Sequence, residues 1–154
     1  MRIFEWLTKF FQRIMISRKT KYGFKALGYL ALHYGKGPVL IAEISKMKNI
    51  PIKFLEAILL ELKQKNILIS KKGKGGGYFL SYPPKKIKLA TVYRIIEGPI
   101  AMLPCVSLNF YQKCEDCEES ICGLNRIMIQ TRDATLKILE KKTLLDIMDK
   151  DNEF

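Results

Sequence analysis

Long apolar runs are missing from this chain of 154 residues. No stretch approaches the roughly 20 apolar residues that a membrane-spanning helix requires, so we expect no stable membrane insertion. Glu5, Lys9 and Arg13 interrupt the apolar start of the chain, and no small-residue cleavage site follows, which argues against a secretory signal. A chain that is not exported stays in the cytoplasm, where clustered thiols are more often ligands or redox sensors than disulfides.

Negative charge is also scarce. Asp and Glu number 15 against 27 Lys and Arg, which gives a formal net charge of +12. Such an excess predicts a polyanionic partner, either nucleic acid or an anionic membrane surface. Histidine occurs once, and His33 lies on a predicted apolar helix, so we expect it to be a packed or surface residue rather than a metal ligand.

Enzyme signatures are missing as well. No nucleophile stands beside a base in a recognisable arrangement, and the glycine-rich segment lacks the Gly-Lys-Ser/Thr ending of a phosphate-binding loop. We therefore predict that the protein is not an enzyme.

Before the cysteine-rich loop, the apolar residues predict four helices, the last of them at 89–97, and a hairpin. Helical spacing marks 20–34 and 40–47, and a third helix begins at Pro51 with its inward residues at Phe54, Leu55, Ile58, Leu59 and Leu62. Short strands at 67–70 and 78–81 follow around Gly73, Gly75, Gly76 and Gly77. Two helices joined by a short turn and followed by a hairpin are the elements of a winged helix-turn-helix.

The predicted fold is mainly α with a small β wing, an α+β winged helix-turn-helix with a long C-terminal dimerisation helix. We divide the chain into an amphipathic extension (1–14), a DNA-binding domain (15–98), a cysteine-bearing sensor loop (99–123) and the dimerisation helix (124–149). The apolar stripe of that last helix has little chain left to cover it, so we expect a second subunit to do so.

The extension over 1–14 has four interpretations. It could be an interfacial membrane helix or a partner-docking helix, because its apolar residues recur at helical spacing opposite charged positions. The plainer alternatives are a helix that packs on its own domain, or a natural start at Met15.

A basic stretch runs through the end of the third helix and the hairpin. Between Leu62 and Ile96 there is no acidic residue, and the nine positive charges are Lys63, Lys65, Lys71, Lys72, Lys74, Lys85, Lys86, Lys88 and Arg94. Lysine on a flexible stem suits contact with phosphate oxygens, so we expect double-stranded DNA as the partner. The alternative is a solvated lysine-rich face.

The N-terminal end of the third helix is expected to enter the major groove, where Ile52, Lys53, Glu56 and Ala57 would face the bases. Glu56 is costly beside anionic DNA unless it accepts from a cytosine amino group, although its spacing also fits an ordinary exposed Glu. Lys72 and Lys74 flank the first glycine of the hairpin and could reach into or beside the minor groove.

All four cysteines, Cys105, Cys114, Cys117 and Cys122, fall within eighteen residues. Four close thiols predict a metal or redox site, because a tetrathiolate set binds zinc or an iron–sulfur cluster of the 2Fe–2S or 4Fe–4S type. The spacing does not identify the metal, and a metal-free thiol switch remains a further interpretation. Glu115, Asp116, Glu118 and Glu119 surround Cys117, either lowering the reduction potential of a bound cluster or keeping the loop away from DNA.

These segments resemble the Rrf-two family of winged-helix transcriptional regulators, whose members include IscR-like and NsrR-like proteins. The resemblance covers about residues 15–149 and rests on ISRKTKYGFKALGYLALHYGKGPV, on IPIKFLEAILLELKQKNILISKKGKGGGYFLSYPP and on the cysteine loop before a terminal helix. It implies a homodimer with crossed long helices that binds a partly palindromic operator. It also aligns the family's acidic recognition-helix residue with Glu56. The family's wing arginine aligns with Lys72, so this chain departs from the family at that position.

The same resemblance implies that Cys105, Cys117 and Cys122 bind a cluster. IscR-like proteins add a histidine three residues after the last cysteine, where this chain has Asn125, while Cys114 is an additional thiol here. We therefore expect an all-cysteine site, with an iron–sulfur cluster favoured over zinc, that controls DNA binding. The alternative function is a membrane-surface or partner-docking adaptor that uses 1–14 and carries a structural zinc site.

Overall fold

The computed structural model describes residues 16–148, so the extension over 1–14 lies outside the described residues. The α-helices are α1 (Arg18–Leu32), α2 (Ile41–Lys48), α3 (Ile52–Gln64), α4 (Leu89–Ile96) and α5 (Gly123–Leu139), and the strands are β1 (Leu68–Lys71) and β2 (Gly77–Leu80). Single 3₁₀ turns lie at Pro84–Lys86, Pro104–Val106 and Leu144–Ile147. Helices with one small hairpin confirm the predicted α+β class. In 16–148, every helix is too short or too polar to cross a bilayer.

The turn between α2 and α3 is held by Ser45. Its hydroxyl donates to the carbonyl of Ile50 at 2.6 Å, and the Ile50 N–H donates to the Ser45 carbonyl at 3.0 Å. Asn49 adopts the left-handed conformation with φ 51°, which asparagine tolerates better than most residues. Pro51 is the N-cap of α3, so the helix begins at Ile52, one residue after the predicted start. The turn thus sets α3 at a fixed angle to α2, as a helix-turn-helix requires.

The core lies where α3 packs against α1, α2 and α4. Leu55, Ile58, Leu59 and Leu62 of α3 are fully buried, as predicted. Phe54 is not: it is 47% exposed, and its ring meets that of Tyr22 edge-on at a centroid distance of 5.8 Å. One residue is about 100° of helix rotation, so Phe54 falls beside the buried stripe that contains Leu55.

The wing is the antiparallel hairpin of β1 and β2, paired from Leu68 with Leu80 to Lys71 with Gly77. Val39 extends it by exchanging backbone hydrogen bonds with Tyr78 at 2.8 and 2.9 Å. Gly77 has φ 142°, and a Cβ there would lie 2.2 Å from the Val39 carbonyl oxygen, so only glycine fits this contact. The glycine-rich loop therefore projects the wing lysines from a hairpin that is fixed at its base.

α5 is shorter than the helix predicted over 124–149. It ends at Leu139, and a new turn begins where the Thr143 hydroxyl and the Asp146 carboxylate form a capping box. The Leu144 N–H donates to the Ile87 carbonyl at 2.9 Å, and the Leu144 side chain is fully buried. The chain after α5 thus returns to the core of the DNA-binding domain.

Glu97, the C-cap of α4, holds the start of α1. It accepts from the Ser17 backbone N–H at 3.1 Å, from the Ser17 hydroxyl at 2.7 Å and from the Thr20 hydroxyl. Burial alone would raise the pKa of Glu97, but these hydrogen bonds outweigh it and lower the pKa. The carboxylate therefore fixes α1 to α4 in its charged form.

Candidate DNA-binding surface and cysteine cluster

The leading end of α3 is open to solvent. Ile52, Lys53, Glu56 and Ala57 are all exposed, whereas Leu55 is fully buried. This alternation follows from the helical repeat, which points one face of α3 into the core and turns the other outward. The predicted base-reading residues thus share one accessible helix face.

The lysines of the wing are also accessible. Lys71, Lys72 and Lys74 are exposed on or beside the glycine loop, and Lys63 is exposed near the end of α3. Within residues 16–148 these four lysines and Lys53 take part in none of the ion pairs. Their charge is therefore free to meet an anionic partner in the described structure.

Two members of the predicted basic stretch are not free. Lys88 and Arg94 both contact the carboxylate of Glu140, at 3.2 and 2.9 Å. Hydrogen bonding from Arg94 first, and then from Lys88, lowers the pKa of Glu140. The basic surface is consequently smaller than the sequence suggested, because a carboxylate more than forty residues away neutralises part of it.

The thiols of Cys114 and Cys122 lie near that of Cys117. Their hydrogen bonding and charge, together with burial, raise the pKa of Cys117 to about 12. All four cysteines are half-buried, so none is sealed within the core. The loop therefore brings the thiols of Cys114 and Cys122 near that of Cys117, while one site shared by all four cysteines stays a prediction.

Cys122 is the N-cap of α5. Its Sγ accepts from the Asn125 backbone N–H at 3.4 Å, and this bond, followed by that with Cys117, lowers the pKa of Cys122. N–H groups at a helix start have no partner within the helix, so a sulfur that is becoming anionic is favoured there.

Cys105 is connected to the other cysteines by a hydrogen bond from Asn125. It lies in the 3₁₀ turn Pro104–Val106, and the Asn125 side-chain amide donates to its Sγ at 3.5 Å. Asn125 is 6% exposed. Sequence reasoning noted this position only as a departure from a histidine, because nothing in the local pattern shows a contact across twenty residues.

Glu119 shapes the loop from within. Its carboxylate accepts from the Cys114 backbone N–H at 2.9 Å and from the Tyr111 hydroxyl at 3.1 Å. Of the four acidic residues around Cys117, Glu119 is thus engaged in folding the loop. Arg132 of α5 adds a further attachment by donating from Nη1 to the Val106 carbonyl at 2.5 Å.

In 16–148 no set of three or more His, Cys, Asp or Glu side chains is arranged to hold a metal ion. The donor chemistry nevertheless suits zinc or an iron–sulfur cluster, since both accept four thiolates. His33 packs against Tyr29, at a ring-centroid distance of 4.4 Å, and its Nδ1 hydrogen-bonds the Tyr29 carbonyl, as expected of a packed residue.

Comparison with known proteins agrees with this architecture. Residues 16–150 match the model of the Rrf2 family, described as an iron-dependent transcriptional regulator. An rrf2-like HTH-type transcriptional regulator of Rhodobacter capsulatus is 36% identical over 138 residues, which cover 87% of this chain and 92% of the relative.

Solved structures give the same result. CymR, the global cysteine regulator of B. subtilis, superposes with a TM-score of 0.73 and 29% identity, covering 88% of this chain and 96% of that one. IscR of T. potens gives a TM-score of 0.69 and 26% identity, covering 91% and 89%. The family match, which spans more than half of the sequence, and the shared winged helix-turn-helix establish that this chain belongs to the Rrf2 family of DNA-binding transcriptional regulators.

Proposed function

We propose that this regulator reads its operator as a homodimer and that an iron–sulfur cluster on Cys105, Cys114, Cys117 and Cys122 sets its affinity for DNA. The observation that carries the DNA-binding part is the open face of α3 beside wing lysines that have no ion-pair partner in 16–148. Two observations support the proposed cluster site: the thiols of Cys114 and Cys122 lie near that of Cys117, and Asn125 hydrogen-bonds the sulfur of Cys105.

In the proposed complex, α3 lies in the major groove with Lys53, Glu56 and Ala57 facing base edges. Lys63, Lys71, Lys72 and Lys74 contact phosphates, since lysine acts there as a point charge with little sequence preference. Glu56 discriminates by accepting a hydrogen bond from a cytosine amino group.

The second subunit is proposed to cover α5. Leu124, Ile127 and Ile138 are 52–62% exposed, which is unusual for apolar residues repeated along one helix. A groove of about 900 Å³ lies beside α5, with Phe24, Tyr93 and Leu139 in its apolar lining. A second copy of the chain would bury both surfaces, and its two α3 helices would then match a partly palindromic site.

An iron–sulfur cluster is preferred to zinc because the matching family is described as iron-dependent and the candidate ligands are thiols. When bound, the cluster supplies electron-transfer and oxidant-sensitive chemistry. The chain's part is to release thiol protons and bring four sulfurs to one centre, at the expense of the present contacts between Cys117 and its two neighbours.

The route from the thiols to DNA is proposed to run along α5. Cys122 caps the start of α5, Arg132 holds the loop to its middle, and Glu140 at its C-cap pairs with Arg94 of α4. Rearrangement of the thiols would shift α5 and, through it, the separation or tilt of the two α3 helices.

The test is to purify the full chain without air, record its absorption spectrum and metal content, and select bound sites from random DNA with and without air. We expect a coloured, iron-containing protein whose selected sites share a motif and are recovered less well, or differently, after exposure to air. A colourless protein with one zinc per chain would end the cluster proposal, and an absence of any enriched motif would contradict the base-reading role of α3.

A further inference from the structure

Asn125 occupies an unusual place on α5. Of the residues in this helix, all of them described, Asn125 is the buried one, while apolar neighbours such as Leu124 and Ile127 are exposed. A buried amide is costly unless its polar atoms have partners. Here the partners are sulfur atoms, because the backbone N–H donates to Cys122 Sγ at 3.4 Å and the side-chain amide donates to Cys105 Sγ at 3.5 Å.

The two hydrogen bonds of Asn125 join parts of the cluster that are otherwise separate. The thiols of Cys114 and Cys122 lie near that of Cys117. Cys105 lies in a different turn, Pro104–Val106, and its side chain accepts a hydrogen bond from the side-chain amide of Asn125. Without that amide, Arg132 would still hold the neighbouring Val106 carbonyl, but the Cys105 sulfur would lose the hydrogen bond that ties it to Asn125.

We propose that Asn125 is the positioning residue that holds Cys105 in the thiol cluster. Its backbone N–H holds Cys122 Sγ and its side-chain amide holds Cys105 Sγ, so this one residue ties both sulfurs to the start of α5. The use of this arrangement to bind a metal rests on the proposed function, whereas the positioning of Cys105 is a property of the metal-free chain and is tested separately.

The main variant is Asn125→Asp. It keeps the size of the side chain and exchanges the donating amide for a carboxylate that repels a thiolate. Asn125 is the third residue of α5 after the N-cap Cys122, a position where a carboxylate favours the helix, so this variant should fold. Asn125→Ala removes the donor without adding charge. Asn109→Ala is the matched control, because Asn109 is exposed in the same loop.

The first experiment uses reduced, metal-free protein carrying Cys114→Ser and Cys117→Ser, which leaves Cys105 and Cys122 as the thiols. A fluorogenic dibromobimane, which bridges two sulfurs only when they are close, reports their proximity. We expect rapid bridging in this background and in Asn109→Ala, and at least severalfold slower bridging in both Asn125 variants. Circular dichroism confirms that each variant is folded. Equal bridging rates in folded Asn125 variants and the control would overturn the proposal.

The second experiment titrates the chain, with all four cysteines present, with Co²⁺ without air and follows the thiolate-to-cobalt absorption bands. Removal of a residue that orients a ligand typically weakens metal binding by about 10-fold to 100-fold. We expect Asn125→Ala, which adds no new metal ligand, to show such weakening and a thiolate count that matches Cys105→Ser. An unchanged affinity and thiolate count would contradict the role of Asn125 toward the metal. If the unsubstituted chain gives no thiolate bands while bridging still depends on Asn125, the metal site fails and the positioning role stands.

Discussion

Arg94 of α4 donates from Nη1 to the carboxylate of Glu140 at the end of α5, at a distance of 2.9 Å. Lys88 approaches the same carboxylate at 3.2 Å. One acidic residue thus fastens the exposed helix α5 to two basic residues of the DNA-binding domain. In the described structure, these ion pairs would transmit a shift of α5 to α4 and so to the domain that contains α3.

Glu140→Gln should weaken the link between the cysteine cluster and DNA binding. The substitution keeps the side-chain size but removes the charge that Arg94 and Lys88 share. It leaves the backbone hydrogen bond from Leu89 to Lys142, so α5 is held less firmly to α4. We expect the ratio of operator affinities between metal-loaded and metal-free protein to shrink about threefold or more. Fluorescence anisotropy measures both affinities, and Lys137→Gln, an exposed position on α5, is the control. An unchanged ratio in Glu140→Gln would contradict this role.

Lys72→Ala should weaken binding to all DNA sequences by a similar factor. A phosphate contact carries no base information, and its loss should reduce the steepness of the log affinity against log salt plot by about one. Titrations at several salt concentrations on an operator and on a scrambled duplex measure this slope. Lys137→Ala removes an exposed lysine far along the chain and should leave the slope unchanged. A loss confined to the operator would argue for a base contact instead.

Glu56→Ala should relax the base preference while sparing general affinity. A hydrogen bond to a base edge contributes about 1–3 kcal/mol of discrimination, and removing a carboxylate also reduces repulsion from phosphates. Selection from random DNA should show one operator position losing its preference for cytosine, with scrambled DNA bound as well as before or better. A uniform loss of affinity, like that expected of Lys72→Ala, would count against the base-reading role.

Glu97→Gln should lower the free energy of unfolding at neutral pH by about 1 kcal/mol, since hydrogen bonds to a charged group are among the stronger ones. The pKa of Glu97 is lowered in the folded protein from its ordinary value of 4.5. Its contribution is therefore present above pH 4.5 and is lost as the pH falls through the folded pKa. Urea unfolding at several pH values should show the curves of the variant and the parent converging in acid. Glu115→Gln, at an exposed loop position, should show no such difference.

The elements that were predictable from the sequence are those set by nearby residues. The α2–α3 turn and the wing are marked by proline, asparagine and glycine, and the buried stripe of α3 repeats at helical spacing. For these elements the observed bounds differ from the expected ones by one or two residues. The first helix was expected at 20–34 and lies at Arg18–Leu32, and β1 was expected at 67–70 and lies at Leu68–Lys71. Convergence of Cys114, Cys117 and Cys122 was also predictable, because a few residues of chain cannot carry them far apart.

The contacts that were not predictable join distant segments. Glu140 with Arg94, and Asn125 with Cys105, are pairs of ordinary polar residues separated by 46 and 20 positions. Neither pair has a spacing that signals contact. Three differences from the sequence predictions share one cause, which is that each depends on how the chain folds back on itself. They are the smaller number of free positive charges, the contact of Asn125 with Cys105, and the shorter last helix.

The burial of Leu144 changes what can be regarded as the DNA-binding unit. A fragment that stops near Gly98, where the helix-turn-helix and wing pattern ends, would lack a fully enclosed leucine and the backbone partner of Ile87. Voids left by missing leucine side chains cost about 2–5 kcal/mol, a large share of the stability of a small domain. The winged helix-turn-helix is therefore not an independent folding unit, because the segment after α5 completes its core. Truncation from the C-terminus that removed Leu144 would destabilise this domain while leaving all four cysteines in place.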